Sequence, residues 1–228
     1  MLFLMLIFTW GCSKSSNSQI NPQNSELDTL TIVQNISTPW ELTWGPDDQL
    51  WFTEREGRVN RANPGNGNNV VVLHIPEVYQ KGESGLLGMA FHPDFSTMPY
   101  VYLVYTYLDS PMIRERLVRY TWDGNQLIQP EILLTDIPAN SYHDGSRLAF
   151  GPDDKLYMST GDAGFTPNSQ NLNVLAGKIL RLNDDGSIPA DNPFPGSYVW
   201  AYGLRNSQGL VFAPDGTLYA SWNTWTQQ

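Results

Sequence analysis

Three short polar clusters interrupt the apolar pattern of this sequence and are the candidates for chemistry: residues 142–147, 160–164 and 203–209. The first two contain His143 and Asp162, and a histidine whose tautomer is fixed by a carboxylate can act as a general base. The third contains Arg205, Asn206 and Gln208, which donate hydrogen bonds to anionic or carbonyl oxygens. Taken alone, each has a structural alternative, because most histidines are structural and an arginine as readily binds a carboxylate of its own fold.

The clusters adjoin a β unit that repeats along the chain. Four segments share an apolar strand, a Pro-Asp turn and a second strand: Trp40–Glu54, Leu87–Thr106, Arg147–Gly161 and Gln208–Ser221. No window keeps helical periodicity for three turns, so the sequence predicts an all-β fold. The turn prolines, at positions 46, 93, 152 and 214, recur at the spacing of propeller blades.

A β-propeller explains these repeats because small sheets stacked around an axis bury both of their faces. The alternative is a β-sandwich with similar hairpins, which does not require one recurring turn sequence. In a propeller, residues that precede or end the innermost strand of a blade face the central channel. We therefore expect the candidate residues to converge there: His143, Asp162, Arg205, Asn206 and Gln208.

The composition excludes several classes of function. The 228 residues contain 13 Lys+Arg and 23 Asp+Glu, a formal charge of −10, which argues against nucleic acid as a partner. The single cysteine, Cys12, excludes an internal disulfide framework and a cysteine zinc site. The three histidines are too scattered for a metal-binding helix, and the residues themselves predict no metal ligands.

The N-terminal residues have the pattern of a targeting segment. Met1–Trp10 is apolar but too short to span a bilayer, and Gly11-Cys12 resembles the lipobox of bacterial lipoproteins. The alternative is a secretory signal with an incidental cysteine. We expect a signal at residues 1–12, a flexible Ser/Asn-rich linker at 13–28, and an exported protein of the periplasm or cell envelope, with a lipid anchor at Cys12 as its membrane attachment.

Five ordered motifs resemble the soluble quinoprotein glucose/sorbosone dehydrogenases, also called aldose sugar dehydrogenases. The motifs lie in Pro39–Arg58, Gly82–Phe95, His143–Gly164, Gly177–Phe194 and Gly203–Ser221. Together they span about Leu30 to Ser221, and the last contains the Arg-Asn-x-Gln-Gly signature of the family. The resemblance implies a six-bladed β-propeller, of which about four blade units fall within residues 29–228.

The resemblance also implies a reaction and a cofactor. Pyrroloquinoline quinone (PQQ) would lie over the channel, and an aldose would be oxidised to its lactone as hydride passes from the anomeric carbon to C5 of the quinone. His143 corresponds to the general base, Asp162 to the residue that holds it, and Arg205 to the cation that polarises the C5 carbonyl. Asn206 and Gln208 correspond to further cofactor contacts. The partners would be a sugar substrate and an artificial or membrane electron acceptor.

Two departures from the family pattern concern the cofactor. Glu83 replaces a frequent glutamine near cofactor and substrate, and an ionised, inward-facing carboxylate there would repel the quinone. The calcium expected from the family is bound by a Gly-Pro loop beyond the strand that matches Leu218–Ser221, where Trp222 replaces the expected acid. We therefore expect a C-terminally truncated chain that binds the cofactor poorly. The alternatives are a calcium-dependent lactonase-like hydrolase, or a non-catalytic propeller that binds carbohydrate or protein.

Overall fold

A computed structural model of the chain describes residues 29–222. The predicted signal segment at 1–12 and the predicted linker at 13–28 lie outside the described residues, so both stay predictions. No helix within 29–222 has the length and apolar character that crossing a membrane requires.

The described residues form four antiparallel sheets, each built in chain order. The first contains β1 (Pro39–Trp44), β2 (Leu50–Glu54), β3 (Arg58–Ala62) and β4 (Asn69–His74). The second contains β5 (Leu86–Phe91), β6 (Tyr100–Asp109), β7 (Met112–Trp122) and β8 (Leu127–Pro138). The third contains β9 (Gly145–Phe150), β10 (Leu156–Thr160), β11 (Lys178–Leu182) and β12 (Val199–Tyr202), with a short helix α1 (Pro167–Gln170) between β10 and β11. The fourth contains β13 (Ser207–Phe212) and β14 (Leu218–Trp222).

The sheets are arranged as the blades of a propeller. The first strand of each sheet contacts the first strand of the next, in the order β1, β5, β9 and β13. Each of the four sequence repeats supplies the first two strands of one sheet. The all-β, propeller-type fold predicted from the repeats is therefore confirmed, with three four-stranded blades and one two-stranded sheet among residues 29–222.

The hydrophobic core lies between the blades, and β6 shows why. Its sequence, YVYLVYTYLD, is almost continuously apolar because both of its faces are buried. Val101, Leu103 and Tyr105 pack in the cluster shared with the first blade. Tyr102 and Val104, which alternate with them, pack in the cluster shared with the third blade.

The Pro-Asp turns are stabilised by the same contacts in different blades. The second residue after the turn proline, Asp48 or Asp154, has a φ of 57°, a left-handed conformation that aspartate tolerates. The preceding aspartate accepts a hydrogen bond from the next strand, since Asp47 Oδ1 lies 3.0 Å from Trp51 Nε1. Asp153 makes the equivalent contact at 3.0 Å with the hydroxyl of Tyr157.

Buried hydroxyl groups connect neighbouring blades near the axis. Thr53 in β2 accepts a hydrogen bond from Glu41 N at 3.0 Å and donates to the carbonyl of Leu87 in the next blade at 2.7 Å. Ser159 in β10 makes the same pair of bonds, from Arg147 N at 3.0 Å and to Ser207 O at 2.7 Å. These bonds satisfy buried backbone groups where the strand pairing is irregular, and they fix the start of β13, next to the third polar cluster.

Candidate active site

His143 and Asp162 form a hydrogen-bonded pair at the ends of neighbouring strands. His143 lies in the loop between β8 and β9, and Asp162 follows β10 directly. The distance from His143 Nδ1 to Asp162 Oδ1 is 2.9 Å. Because a carboxylate oxygen only accepts hydrogen bonds, Nδ1 carries the hydrogen and Nε2 keeps a lone pair that can accept a proton. The imidazole is 13% exposed, so a small molecule can reach it.

The loop geometry places the histidine under local strain. His143 has a φ of 62°, a left-handed conformation that is uncommon for any residue other than glycine, although histidine adopts it more often than most. Its carbonyl accepts a hydrogen bond from Ala163 N at 3.1 Å. A Cβ on Gly161 would lie 1.7 Å from this carbonyl oxygen, so only glycine permits the close approach.

Asp162 is held by contacts other than the histidine. It is 1% exposed, and Oδ1 also accepts a hydrogen bond from Gly164 N at 2.8 Å. Its backbone N donates to Arg205 O at 2.7 Å, and its carbonyl accepts from Asn168 Nδ2 at 3.0 Å. The carboxylate therefore has a fixed position from which it can orient the ring.

The third cluster joins the other two through backbone and side-chain contacts. Asn206 is buried, and its Oδ1 accepts a hydrogen bond from Gly145 N at 3.0 Å. The carbonyl of its neighbour Arg205 accepts the hydrogen bond from Asp162 N. Arg205 Nη1 is buried and has no hydrogen-bond partner among residues 29–222. A buried guanidinium nitrogen with an unused donor fits a ligand that brings an anionic or carbonyl oxygen.

Glu83 and Gln208 occupy different parts of this region. Glu83 is exposed, and its Oε2 accepts a hydrogen bond from His143 N at 3.2 Å, so its carboxylate lies against the loop of the predicted base. Gln208 lines a cavity of about 560 Å³ between the first strands of all four sheets. The structure thus brings together His143, Asp162, Arg205, Asn206 and Glu83, and places Gln208 at the central cavity without a side-chain contact to His143.

An ion pair that the sequence analysis did not identify crosses this cavity. Arg147 in β9 pairs with the buried Glu41 in β1, and its Nε donates to Gln208 O at 2.8 Å in β13. The guanidinium lies 4.3 Å from the ring centroid of Trp40. Burial raises the pKa of Glu41, against the lowering effect of Arg147. Arg147 therefore connects three blades and holds the backbone of Gln208 in place.

Lys178 supports the loop that carries Asp162. It is fully buried, and its Nζ donates to the carbonyls of Asn168 at 2.7 Å, Ser169 at 3.2 Å and Ala176 at 2.7 Å. Burial lowers the pKa of Lys178 to about 8. A lysine between Gly177 and an apolar strand gives only a weak sequence signal, because its burial depends on carbonyls of α1 and the following loop.

Replacing Lys178 with Met lowers the free energy of unfolding by about 3 kcal/mol, because three carbonyls lose their donor. Denaturant unfolding of the expressed protein measures the loss. Lys81→Met, at an exposed lysine, is the matched control and changes stability by less than about 0.5 kcal/mol. Equal losses in the two variants would show that the buried ammonium contributes nothing specific.

Acidic and histidine side chains do not form a metal cluster in the described part of the chain, where no three of His, Cys, Asp or Glu are placed to hold an ion. Within 29–222, the calcium expected from the resemblance therefore has no cluster of three acidic or histidine side chains as ligands.

Known proteins are similar in sequence to most of this chain. Residues 36–222 match the family model described as Glucose / Sorbosone dehydrogenase. The chain is 40% identical to quinoprotein glucose dehydrogenase B of Acinetobacter calcoaceticus, over 90% of this chain and 50% of that protein. It is 30% identical to an aldose sugar dehydrogenase of Escherichia coli, over 80% of this chain and 52% of that protein.

A solved structure agrees with both the fold and the family. The PQQ-bound aldose sugar dehydrogenase of Streptomyces coelicolor superposes with a TM-score of 0.79 and 38% identity, over 85% of this chain and 58% of that chain. The chain spans about half the length of the curated relatives it matches. Since the family model covers most of the sequence and the residues of the site lie within it, this chain belongs to the glucose/sorbosone dehydrogenase family.

Proposed function

We propose that this protein oxidises an aldose sugar at its anomeric carbon with PQQ as the cofactor. The observation that carries the proposal is the His143–Asp162 pair, which leaves Nε2 free to accept a proton beside a segment with an unused buried guanidinium donor. The names of the relatives support the same chemistry, since one is a quinoprotein glucose dehydrogenase and another is a PQQ-bound aldose sugar dehydrogenase.

The residues present fit PQQ. It is an anionic tricarboxylate quinone, and the buried Nη1 of Arg205 lacks an acceptor within the described residues. When bound, PQQ supplies the electrophilic carbonyl that accepts the hydride. Arg205 would hold an oxygen of the cofactor and stabilise developing negative charge. Asn206 and Gln208 would supply further amide contacts, and Glu83, on the exposed side of the His143 loop, would face the sugar, because an ionised carboxylate turned toward the quinone would repel it.

His143 performs the proton step of the proposed reaction. Its Nε2 would accept the proton of the anomeric hydroxyl as the C–H bond is broken. Asp162 keeps Nδ1 protonated and stabilises the imidazolium that forms. The electron acceptor that completes the cycle would be an artificial or a membrane carrier.

Turnover in the presence of PQQ tests the proposal directly. The expressed protein is supplied with PQQ and calcium, and aldose oxidation is followed with an artificial electron acceptor and by detection of the lactone. We expect turnover that requires PQQ, at PQQ concentrations high enough to offset the poor cofactor binding expected of this chain, and that fails when the anomeric hydroxyl is methylated. Sugar binding without PQQ-dependent oxidation would contradict the proposal and favour a binding propeller.

Replacing Arg205 with Ala weakens PQQ binding about 10- to 100-fold, since a charge-assisted hydrogen bond contributes about 1.5 to 3 kcal/mol. Titration of the apoprotein with PQQ, followed by protein fluorescence, measures the change. Arg205→Lys keeps the charge but not the planar donor geometry, and we expect it to recover only part of the affinity. Unchanged affinity in both variants would remove Arg205 from the cofactor site.

A further inference from the structure

Two carboxyl groups are buried behind the loop that carries His143. Asp144, the residue after His143, is 4% exposed, and Glu115 in β7 is 1% exposed. They come from different blades and have no part in the reaction proposed above. Buried carboxylates normally accept several hydrogen bonds or pair with a cation, so their environment determines whether they carry charge.

Neither carboxyl group has the partners that an ionised form requires. Asp144 Oδ1 accepts one hydrogen bond, from Asn140 N at 2.9 Å, and Oδ2 is buried without a partner among the described residues. Glu115 accepts a hydrogen bond from the hydroxyl of Ser146. One donor for each group does not replace the water lost by two ionised carboxylates.

The charged groups that face Asp144 from neighbouring elements do not neutralise it. Glu83, between β4 and β5, and Glu115 add negative charge, and Arg55, between β2 and β3, adds one positive charge. Arg55 donates instead to backbone carbonyls, among them Ser84 O, at 3.1 Å from Nε and 2.9 Å from Nη2. Burial raises the pKa of Asp144 to about 7, and burial together with the charge of Asp144 raises the pKa of Glu115 well above its usual range.

We propose that Asp144 and Glu115 hold at least one proton between them at neutral pH and that this partly neutral pair positions the catalytic loop. The pair fixes both sides of His143, since Asp144 binds the backbone of Asn140 and Glu115 binds Ser146. Asn140 in turn donates from Nδ2 to Ala163 O at 3.0 Å, in the loop of Asp162. Loss of the proton adds repulsion between the two acids and Glu83, and it moves the loop away from β7.

The stability of the cofactor-free protein against pH tests the buried proton. Between about pH 4 and 7 the folded protein keeps a proton on Asp144 that the unfolded chain has lost, so its stability falls as the pH rises. The unfolding constant therefore increases by up to ~tenfold per pH unit in this window. Asp144→Asn removes the part of this dependence that Asp144 carries and leaves the part from Glu115, and the variant is more stable than the wild type above pH 7. Asp154→Asn, at an exposed turn residue, is the matched control and keeps the wild-type profile.

Infrared difference spectra of the wild-type protein with ¹³C-labelled aspartate identify the protonated group directly, even where the variants fail to fold. We expect a protonated aspartate carbonyl band at pH 6 that is lost by pH 9. The proposal is wrong if neither this band nor the corresponding protonated band of ¹³C-labelled glutamate is present, or if Asp144→Asn keeps the pH profile of Asp154→Asn. It is also wrong if added calcium, rather than low pH, stabilises the wild type and not Asp144→Asn, because the pair would then bind a cation.

The effect on the loop rests on the proposed function and has its own measurement. In PQQ-dependent turnover, the alkaline decline of kcat moves to higher pH in Asp144→Asn and in Glu115→Gln, but not in Asp154→Asn. If the alkaline decline of kcat stays at the wild-type pH in both variants, the acid pair does not position the loop. The stability data can show the proton on the pair while the wild type has no PQQ-dependent turnover. In that case the proposed function is wrong, and the inference that Asp144 and Glu115 hold a proton is still supported.

Discussion

Replacing Asp162 with Asn lowers kcat for PQQ-dependent aldose oxidation about 10²- to 10⁴-fold, with little change in the fold. The side chains have the same shape, but one oxygen, Asp162 Oδ1, accepts hydrogen bonds from both His143 Nδ1 and Gly164 N. With the amide oxygen in that place, the ring loses the negative charge that stabilises the imidazolium. With the amide nitrogen there, the bond from Gly164 N is lost and the amide donates to Nδ1, which moves the ring hydrogen to Nε2. The ring then has no lone pair where the hydroxyl proton must be accepted.

The matched control for this substitution is Asp154→Asn, which changes an exposed aspartate in the turn between β9 and β10. It keeps the wild-type kcat, because asparagine also tolerates the left-handed backbone at this position. Steady-state kinetics should show the loss in kcat, with KM less affected, since proton acceptance by His143 stabilises the transition state and not the bound sugar. A kcat within about threefold of the wild type would show that Asp162 does not set the tautomer.

The propeller could be predicted because its signals are local in sequence. The Pro-Asp turns and the two strands around each proline occupy about fifteen to twenty residues, and alternating burial within them follows from backbone geometry alone. The same logic identified His143 and Asp162, since a polar residue at the end of an apolar strand has no role in strand packing. The prediction that the two residues contact each other also required the pairing of β9 with β10, which the repeats and the turns both imply.

Burial that depends on a different blade could not be predicted in this way. Glu115 lies between two arginines in the sequence RERLVRY, and such a run of charged residues is typical of a solvent-facing segment. Its side chain is buried because the loop of Asp144 and Ser146 covers it from the third blade. Glu41 likewise follows an exposed proline and a half-buried tryptophan, and only its contact with the distant Arg147 makes it part of the channel. Contacts between residues more than thirty positions apart leave no periodic trace in the sequence.

Replacing His143 with Asn lowers kcat about 10²- to 10⁴-fold and leaves the affinity for PQQ within about threefold of the wild type. Asparagine suits this test because it tolerates the left-handed backbone at φ 62°, whereas alanine there adds strain. The amide cannot take up a proton at neutral pH, so the loss reports the base and not the loop. His74→Asn, at an exposed histidine in β4, is the matched control and keeps full activity.

The same His143→Asn variant separates a dehydrogenase from a binding propeller. If the protein only binds carbohydrate, the variant keeps its affinity for sugar and neither protein shows PQQ-dependent turnover. If His143 is the base, raising the pH recovers part of the lost rate, because hydroxide replaces the missing base and the wild-type profile lacks this steep rise. Full activity in His143→Asn would assign proton removal to another group, and the exposed carboxylate of Glu83, bonded to the backbone N of residue 143, would be the first to replace.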